Sequence, residues 1–354
     1  MRHTVMAVDD IQINLMILES ILEDEYNVVL VTSGEEALAR VVKEPYPDLI
    51  LLDLSMPDMD GFELLERIRA IKEVNDVPVI FVTGEKDMYA EERGLALGAV
   101  DYIKKPFIPS VIRIKIHNHI ELKTLRDDLA HQVAVRTKEL LATHEAIILG
   151  MSLLSESRDK ITGAHLKRIK NLTCILSKEI SKKHKHLLDK YMAEQITTYS
   201  PLHDVGKVSV PDAVLSKQGG LTNEEFAQMK AHTLSGGGLL REIATFLPRS
   251  DHISVAIEIA EGHHERYNGT GYPRGLKGEE IPISARIVAV ADVYDALRSH
   301  RPYKKGFDHQ EAMDIILKGD GRTEPSHFDP IVLEAFEAVH EQLRDAFDNE
   351  PDGE

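Results

Sequence analysis

The chain carries 17 histidines in 354 residues, and some of them stand in adjacent pairs that could share an ion. Asp204 follows His203 and His264 follows His263, while His165, His232 and Asp292 lie apart. A lone helical histidine is more often a packed or capping group than a ligand. Imidazole with carboxylate, however, is the ligand set of hydrolytic transition-metal sites. Neighbours on an α-helix point about 100° apart, so a His-Asp pair can flank a shared centre, with the carboxylate bridging two ions. Seven candidate ligands are too many for one tetrahedral ion and suit two metals with open water positions. Lys207, three residues after Asp204, falls about one turn along the same face, where an ammonium could hold an anionic substrate. Four glycines between Asn268 and Gly278 surround Tyr272-Pro273, so backbone can approach a ligand closely there. Arg301, Tyr303 and Lys304 follow Asp292 and add positive charge where a phosphate would bind.

A second set of carboxylates lies near the N-terminus. Asp9 and Asp10 follow one apolar run and Asp53 ends another, with Thr83 and Lys105 at the ends of two more. In a doubly wound sheet the carboxyl ends of the strands gather at one edge. Three acids converging there call for a divalent counter-charge, and oxygen-only ligands favour Mg²⁺. With a hydroxyl and an ammonium beside them, they could accept a phosphoryl group on a carboxylate. Lys105-Pro106 is expected to adopt a cis bond in the turn that follows.

The elements that must position these groups are legible in the periodicity. Strand-like runs at Thr4-Val8, Asn27-Val31, Leu49-Leu52, Val77-Val82 and Val100-Ile103 alternate with amphipathic stretches such as Asn14-Leu22 and Gly34-Val42, which predicts an α/β five-stranded parallel sheet over residues 1–121. Between residues 109 and 157, Leu122, Leu125, Leu129, Val133, Leu140 and Ile147 recur at steps of three, four and seven, predicting one long helix with a narrow seam and a dimeric coiled coil. Arg136 interrupts the seam. Residues 150–346 read as all-α, with helices at Thr162-Lys182, Lys190-His203, Asn223-His232, Gly236-Ala244, Ile253-His264, Ile283-Ser299, His309-Leu317 and Pro330-Ala346, and residues 347–354 as an acidic tail.

Composition narrows the function classes. A net charge of −17 disfavours nucleic-acid polymers and anionic membranes as partners. The single Cys174 excludes an internal disulfide framework and fits a reducing cytoplasm. No apolar run approaches the ~18–20 residues that cross a bilayer, and the first ten residues lack the build of a secretory signal.

The first 120 residues resemble the receiver domain of two-component response regulators, through Asp9-Asp10, the segment from Leu51 to Gly61 around Asp53-Leu54-Ser55-Met56-Pro57, Thr83-Gly84, and Asp101-Tyr102 leading to Lys105-Pro106. The resemblance implies Asp53 as phosphoacceptor, Asp9, Asp10 and Asp53 at Mg²⁺, Thr83 and Lys105 at the phosphoryl group, Tyr102 as the switch aromatic, and a sensor histidine kinase as donor. Residues 150 to 340 resemble the HD-GYP domain, a subfamily of metal hydrolases that open cyclic di-GMP. This rests on His263-His264-Glu265-Arg266-Tyr267-Asn268-Gly269-Thr270-Gly271-Tyr272-Pro273, with His203-Asp204-Val205-Gly206-Lys207, Arg158-Asp159 before Thr162-Gly163 and His165, Lys230 with His232, Asp292 within Ala289 to Leu297, and Arg301-Pro302-Tyr303-Lys304.

Carried over, His165, His203, Asp204, His232, His263, His264 and Asp292 would bind two divalent ions, iron or manganese. His203, Asp204 and Lys207 would carry catalysis. Lys207, Gly271, Tyr272, Pro273, Asp295, Arg301 and Lys304 would contact substrate. Some members hold a third ion with a glutamate four residues before the first histidine; here that position is Ile161, so a binuclear site is expected. The implied reaction is hydrolysis of cyclic di-GMP to pGpG or GMP under control of Asp53. The rival reading is a domain that senses cyclic di-GMP or docks partners without turnover.

Overall fold

In a computed structural model of the chain, residues 2–84, 88–158, 163–246, 253–300 and 306–351 are described. The order is β1 (Thr4–Val8), α1 (Gln12–Leu22), β2 (Asn27–Val31), α2 (Gly34–Val41), β3 (Leu49–Asp53), α3 (Gly61–Arg69), β4 (Val79–Thr83), α4 (Met88–Ala96), β5 (Asp101–Lys104) and α5 (Pro109–Glu156). There follow α6 (Gly163–Lys183), α7 (Lys190–Tyr199), a 3-10 segment (Ser200–Ser209), α8 (Asp212–Leu215), α9 (Asn223–Ala244), α10 (Ile253–Gly262), α11 (Ile283–Arg298), α12 (His309–Lys318), α13 (Pro330–Ala338) and α14 (His340–Asp348), with short 3-10 turns before α11 and α13. The chain divides into two compact units, Met1–Lys138 and Glu139–Glu354.

The first unit is the expected α/β sheet, all parallel, in the order β2-β1-β3-β4-β5. β1, β3 and β4 are buried on both faces, as continuous Val/Ile/Leu runs require. β4 begins at Val79 rather than Val77, because Pro78 cannot donate to the ladder. Register sets Asp53 opposite Val82 and Thr83 opposite Lys104, so both functional side chains come out at the same edge.

The second unit is all-α around one apolar core that includes Leu172, Leu176, Ile196, Ile259, Val288 and Tyr294. Some of its helices start on side-chain caps: Asp189 accepts the N–H of Met192 on α7, and Thr222 with Glu225 forms a reciprocal box on α9. The expected helices changed in three places: the Pro330-Ala346 stretch is two, α13 and α14, parted at Val339. α7 stops at Tyr199, because Pro201 has no N–H for the α-ladder, and the chain tightens into the 3-10 segment. The Asn223-His232 and Gly236-Ala244 stretches are one helix, α9, in which Gly236 and Gly237 are sites of close packing rather than a break. A Cβ on Gly206 would come 1.9 Å from the carbonyl of His232 and 2.4 Å from the nitrogen of Gly236. Only glycine lets the 3-10 segment lie directly on α9. The 48-residue helix α5 leaves its seam residues Leu122, Leu125, Leu129, Val133, Leu140 and Ile147 exposed. Among the described residues no helix is long and apolar enough to cross a membrane.

Candidate metal centre

Four elements deliver the histidines of the second unit: the first turn of α6 (His165), the 3-10 segment (His203, Asp204), the middle of α9 (His232) and the residues just past α10 (His263, His264). Asp204 stands at the middle of this group. Its Oδ1 is 3.2 Å from His232 Nε2 and 3.6 Å from His263 Nε2, and its Oδ2 is 3.4 Å from His203 Nε2. None of these contacts aligns as a hydrogen bond; Asp204 Oδ1 and all three Nε2 atoms are buried without one.

The reason lies at the other ring nitrogen. His203 Nδ1 is 3.0 Å from the carbonyl of Ser200, His232 Nδ1 2.7 Å from that of Met229, and His263 Nδ1 3.0 Å from that of Ile259. A carbonyl only accepts, so each Nδ1 carries a proton, and each ring in its neutral form turns an Nε2 lone pair inward. Lone pairs directed at a carboxylate repel unless a cation lies between them. This donor set and these orphaned atoms fit a divalent metal, with the carbonyls fixing ring orientation. Two groupings have all their ligand atoms within 4.8 Å of one another: Asp204, His232, His263 and His264, and Glu156, His165 and His203. Asp292 Oδ1 lies 4.0 Å from His203 Nε2, at the margin of the second.

The charges respond to this crowding. Burial presses the His203 imidazolium down, but Asp204, Asp292 and Glu156 outweigh it and bring its pKa up to about 9. Burial pushes the Asp204 carboxyl up, yet Lys207, His203 and His232 hold it well below the carboxylate range. Burial lowers His263, and lowers His264 strongly with help from the neighbouring His263. Lys207 Nζ is 2.9 Å from Asp204 Oδ2. The expected α-helical spacing is in fact 3-10, where side chains at i and i+3 eclipse, which brings the pair closer together than an α-turn would.

The loop after α10 folds back over this site. Tyr272 donates its N–H to the carbonyl of His264 at 3.2 Å, and its ring lies 4.8 Å from the His264 ring. Gly271 has no room for a Cβ, which would sit 2.2 Å from the Arg266 nitrogen. Glu265 accepts the N–H groups of Arg274 and Leu276 at 2.7 and 3.1 Å and pins the loop.

A family model for the HD domain matches residues 151–332, and one for the response regulator receiver domain matches residues 5–117. The chain belongs to the response regulators that carry an HD domain. It is 39% identical over 343 residues to a Vibrio cholerae protein named "Probable cyclic di-GMP phosphodiesterase", covering 94% of this chain and 77% of that one. It is 35% identical over 303 residues to the "Cyclic di-GMP phosphodiesterase response regulator RpfG" of Xanthomonas campestris pv. campestris, covering 84% and 76%. The chain is also 36% identical over 196 residues to a "3'3'-cGAMP-specific phosphodiesterase 2" of Vibrio cholerae, covering 55% and 35%.

In the receiver domain Asp9, Asp10 and Asp53 bring their oxygens within 4.8 Å of one another. Lys105 Nζ bridges Asp9 Oδ2 at 2.9 Å and Asp53 Oδ1 at 2.8 Å. Burial pushes the Asp53 carboxyl up, which the Lys105 bond opposes, and both aspartates together hold the Lys105 ammonium above its ordinary value against burial. Thr83 Oγ1 is buried beside them without a hydrogen bond. Tyr102 is half-buried on β5, with the Lys104 and Lys115 ammoniums near its ring face. The Lys105-Pro106 bond is cis. Asn14, which the spacing did not single out, donates to both oxygens of Asp9 at 3.1 and 2.9 Å.

In the HD domain one expected role changes. Asp295, foreseen as a substrate contact, is buried, with Oδ2 2.7 Å from His165 Nδ1 and Oδ1 2.5 Å from Arg168 Nε. Its carboxylate faces His165 and Arg168 in the interior. Arg168, also missed, could have been found by its spacing: it lies three residues after His165, one turn along α6. Glu156, the last residue of α5, was not foreseen either; it is buried against His165 and His203, and burial pushes its carboxyl up to about 7. Ile161, Arg301, Tyr303 and Lys304 lie outside the described residues.

Proposed function

We propose that the HD domain hydrolyses a 3′,5′-phosphodiester bond of cyclic di-GMP to pGpG or GMP on two divalent ions, iron or manganese, and that phosphorylation of Asp53 by a sensor histidine kinase controls it. The observation that carries this reading is the inward set of Nε2 lone pairs around Asp204, each fixed by an acceptor at Nδ1. The names of the relatives supply the substrate class. His165, His203, Asp204 and Asp292 would hold one ion, and Asp204, His232, His263 and His264 the other. When bound, the pair would supply Lewis acidity and lower the pKa of water.

The chain's own groups do the rest. Lys207 sets an ammonium at the edge of the pocket, where charge grows on the phosphoryl oxygens during in-line attack. Tyr272, packed on His264, presents a ring face beside the site, with the Lys230 ammonium 5.8 Å from its centroid. Asp295 and Arg168 keep His165 in one tautomer.

Control would run through α5, which starts four residues after Lys105 and ends at Glu156. The exposed seam from Leu122 to Ile147 supports a homodimer through this helix. Sedimentation should give twice the chain mass, and Leu129→Glu should lower it; a monomeric native chain would contradict the dimer.

The test is turnover. Iron- or manganese-loaded protein incubated with cyclic di-GMP should yield pGpG or GMP by chromatography. Binding without product, in every metal and phosphorylation state, would replace the enzyme with a sensor. Likeness to the 3'3'-cGAMP-specific relative makes that cyclic dinucleotide the competitor to run in parallel.

A further inference from the structure

Among the described residues, the buried carboxylates of the HD domain are paired with one exception. Glu261 accepts from Arg241 and Arg274, Glu265 from two backbone N–H groups, Asp295 from Arg168 and Asp329 from Arg286, and Asp204 pairs with Lys207. Glu156 is 1% exposed, and neither of its oxygens has a hydrogen bond among the described residues. An ionised carboxylate held this way costs several kcal/mol unless a charge compensates it.

Its nearest basic atom is His165 Nε2, 3.8 Å from Oε1. That nitrogen offers no proton to the carboxylate. His165 commits its Nδ1–H to Asp295, which Arg168 keeps ionised, so Nε2 presents a lone pair to Glu156. His203 does the same once an ion displaces its second proton, its Nδ1–H being given to Ser200. Three electron-pair donors thus face one another with all ligand atoms within 4.8 Å. Ligand atoms about 2.1 Å from one ion lie about 3–4.2 Å apart, so the 3.8 Å separation is that of co-ligands.

We infer that Glu156 is a ligand of the metal pair, completing the position held by His165 and His203. This rests on the metal-centre reading above and deepens it. The sequence has Ile161 four residues before His165; Glu156 brings a carboxylate to the same histidine from a different element, the end of α5. That end is fixed in place. Ser155 Oγ is 2.9 Å from the carbonyls of both Asp204 and Val205, and the Arg158 guanidinium donates to those of Val208 and Val210 at 2.9 and 3.0 Å. The last turn of α5 is therefore tied to the segment that carries His203 and Asp204.

Glu156→Gln keeps the volume and removes the charge. Metal analysis of full-length protein titrated with Mn²⁺ should give two ions in the native chain. In the variant the affinity for one of them should fall about 10–100-fold, with the melting temperature of the metal-free protein unchanged or raised, and Glu156→Asp should recover part of the loss. Two ions bound with native affinity by Glu156→Gln would overturn the assignment and leave the binuclear reading standing. A native chain that binds no Mn²⁺ would instead overturn both. If Glu156→Gln does not fold, a crystal structure of the Mn²⁺-loaded native chain decides: a Glu156 oxygen within about 2.3 Å of an ion supports the ligand, and one beyond about 3.5 Å refutes it.

Discussion

Asp295 Oδ2 lies 2.7 Å from Nδ1 of His165, across 130 residues of chain, and both side chains are buried. This pairing fixes the imidazole with its Nε2 toward Glu156. Asp295→Asn should therefore weaken binding of one ion about 10–100-fold, as loss of such a partner does elsewhere. Metal titration checks this, with KM for cyclic di-GMP expected to stay near native at saturating metal. Asp295→Ala should cost more stability, since it also leaves Arg168 buried beside an empty space.

Lys207 is the test of what the ammonium does. Lys207→Met should lower kcat about 10²–10³-fold, the range for removing one preorganised donor to developing charge, with both ions retained. Loss of an ion together with turnover would mean that Lys207 acts only by holding Asp204, from whose Oδ2 it is 2.9 Å.

Close backbone packing makes the site depend on Gly206. Gly206→Ala would drive a methyl into the His232 carbonyl and the Gly236 nitrogen, prising the 3-10 segment from α9. The expected result is a loss of about 3 kcal/mol and of metal binding together, read by thermal melting and metal analysis. Gly238→Ala on the same helix meets nothing within 4 Å and should raise stability by about 1 kcal/mol.

These cases mark where the sequence was transparent and where it was not. The parallel sheet could be read from Val/Ile/Leu runs because strands buried on both faces have no other composition, and the adjacent pairs His203-Asp204 and His263-His264 pointed to metal because adjacency is visible in one dimension. Glu156 was not legible. It is one of many acids along α5, and its burial arises only when the end of that helix meets the 3-10 segment, an encounter of residues about 50 apart. Asp295 was expected at the substrate through the family resemblance; its pairing with His165 joins residues 130 apart in the chain, which the sequence around α11 does not show.

For the receiver domain, Asp53→Asn should abolish incorporation of phosphate from a small phosphodonor, read on a phosphate-affinity gel. It should also abolish any donor-dependent change in turnover. Lys105→Met should still accept phosphate but lose the ammonium that spans Asp9 and Asp53 at 2.9 and 2.8 Å, uncoupling phosphorylation from the response. Unchanged donor sensitivity in Asp53→Asn would remove Asp53 from the control path.

Protons and metal compete for the same atoms, and the sign of that competition follows from His203. In the metal-free protein its pKa is raised to about 9, so at pH 7.5 the ring carries a proton that an incoming ion must expel. Calorimetric titration with Mn²⁺ in buffers of different ionisation enthalpy should show a proton released near pH 7.5 and none near pH 10. Apparent affinity should rise with pH up to about 9, by roughly tenfold per unit for one proton. The metal-free fold should behave in the opposite sense. A raised folded-state value contributes stability that is complete below the ordinary 6.5 and is lost as pH climbs through about 9. His263 and His264, whose values are lowered, are neutral in both states above 6.5 and add no slope in that window. Melting temperature should accordingly fall between pH 6.5 and 9 without metal. With saturating metal that fall should vanish, because the Nε2 atom that would take up the proton is then committed to the ion.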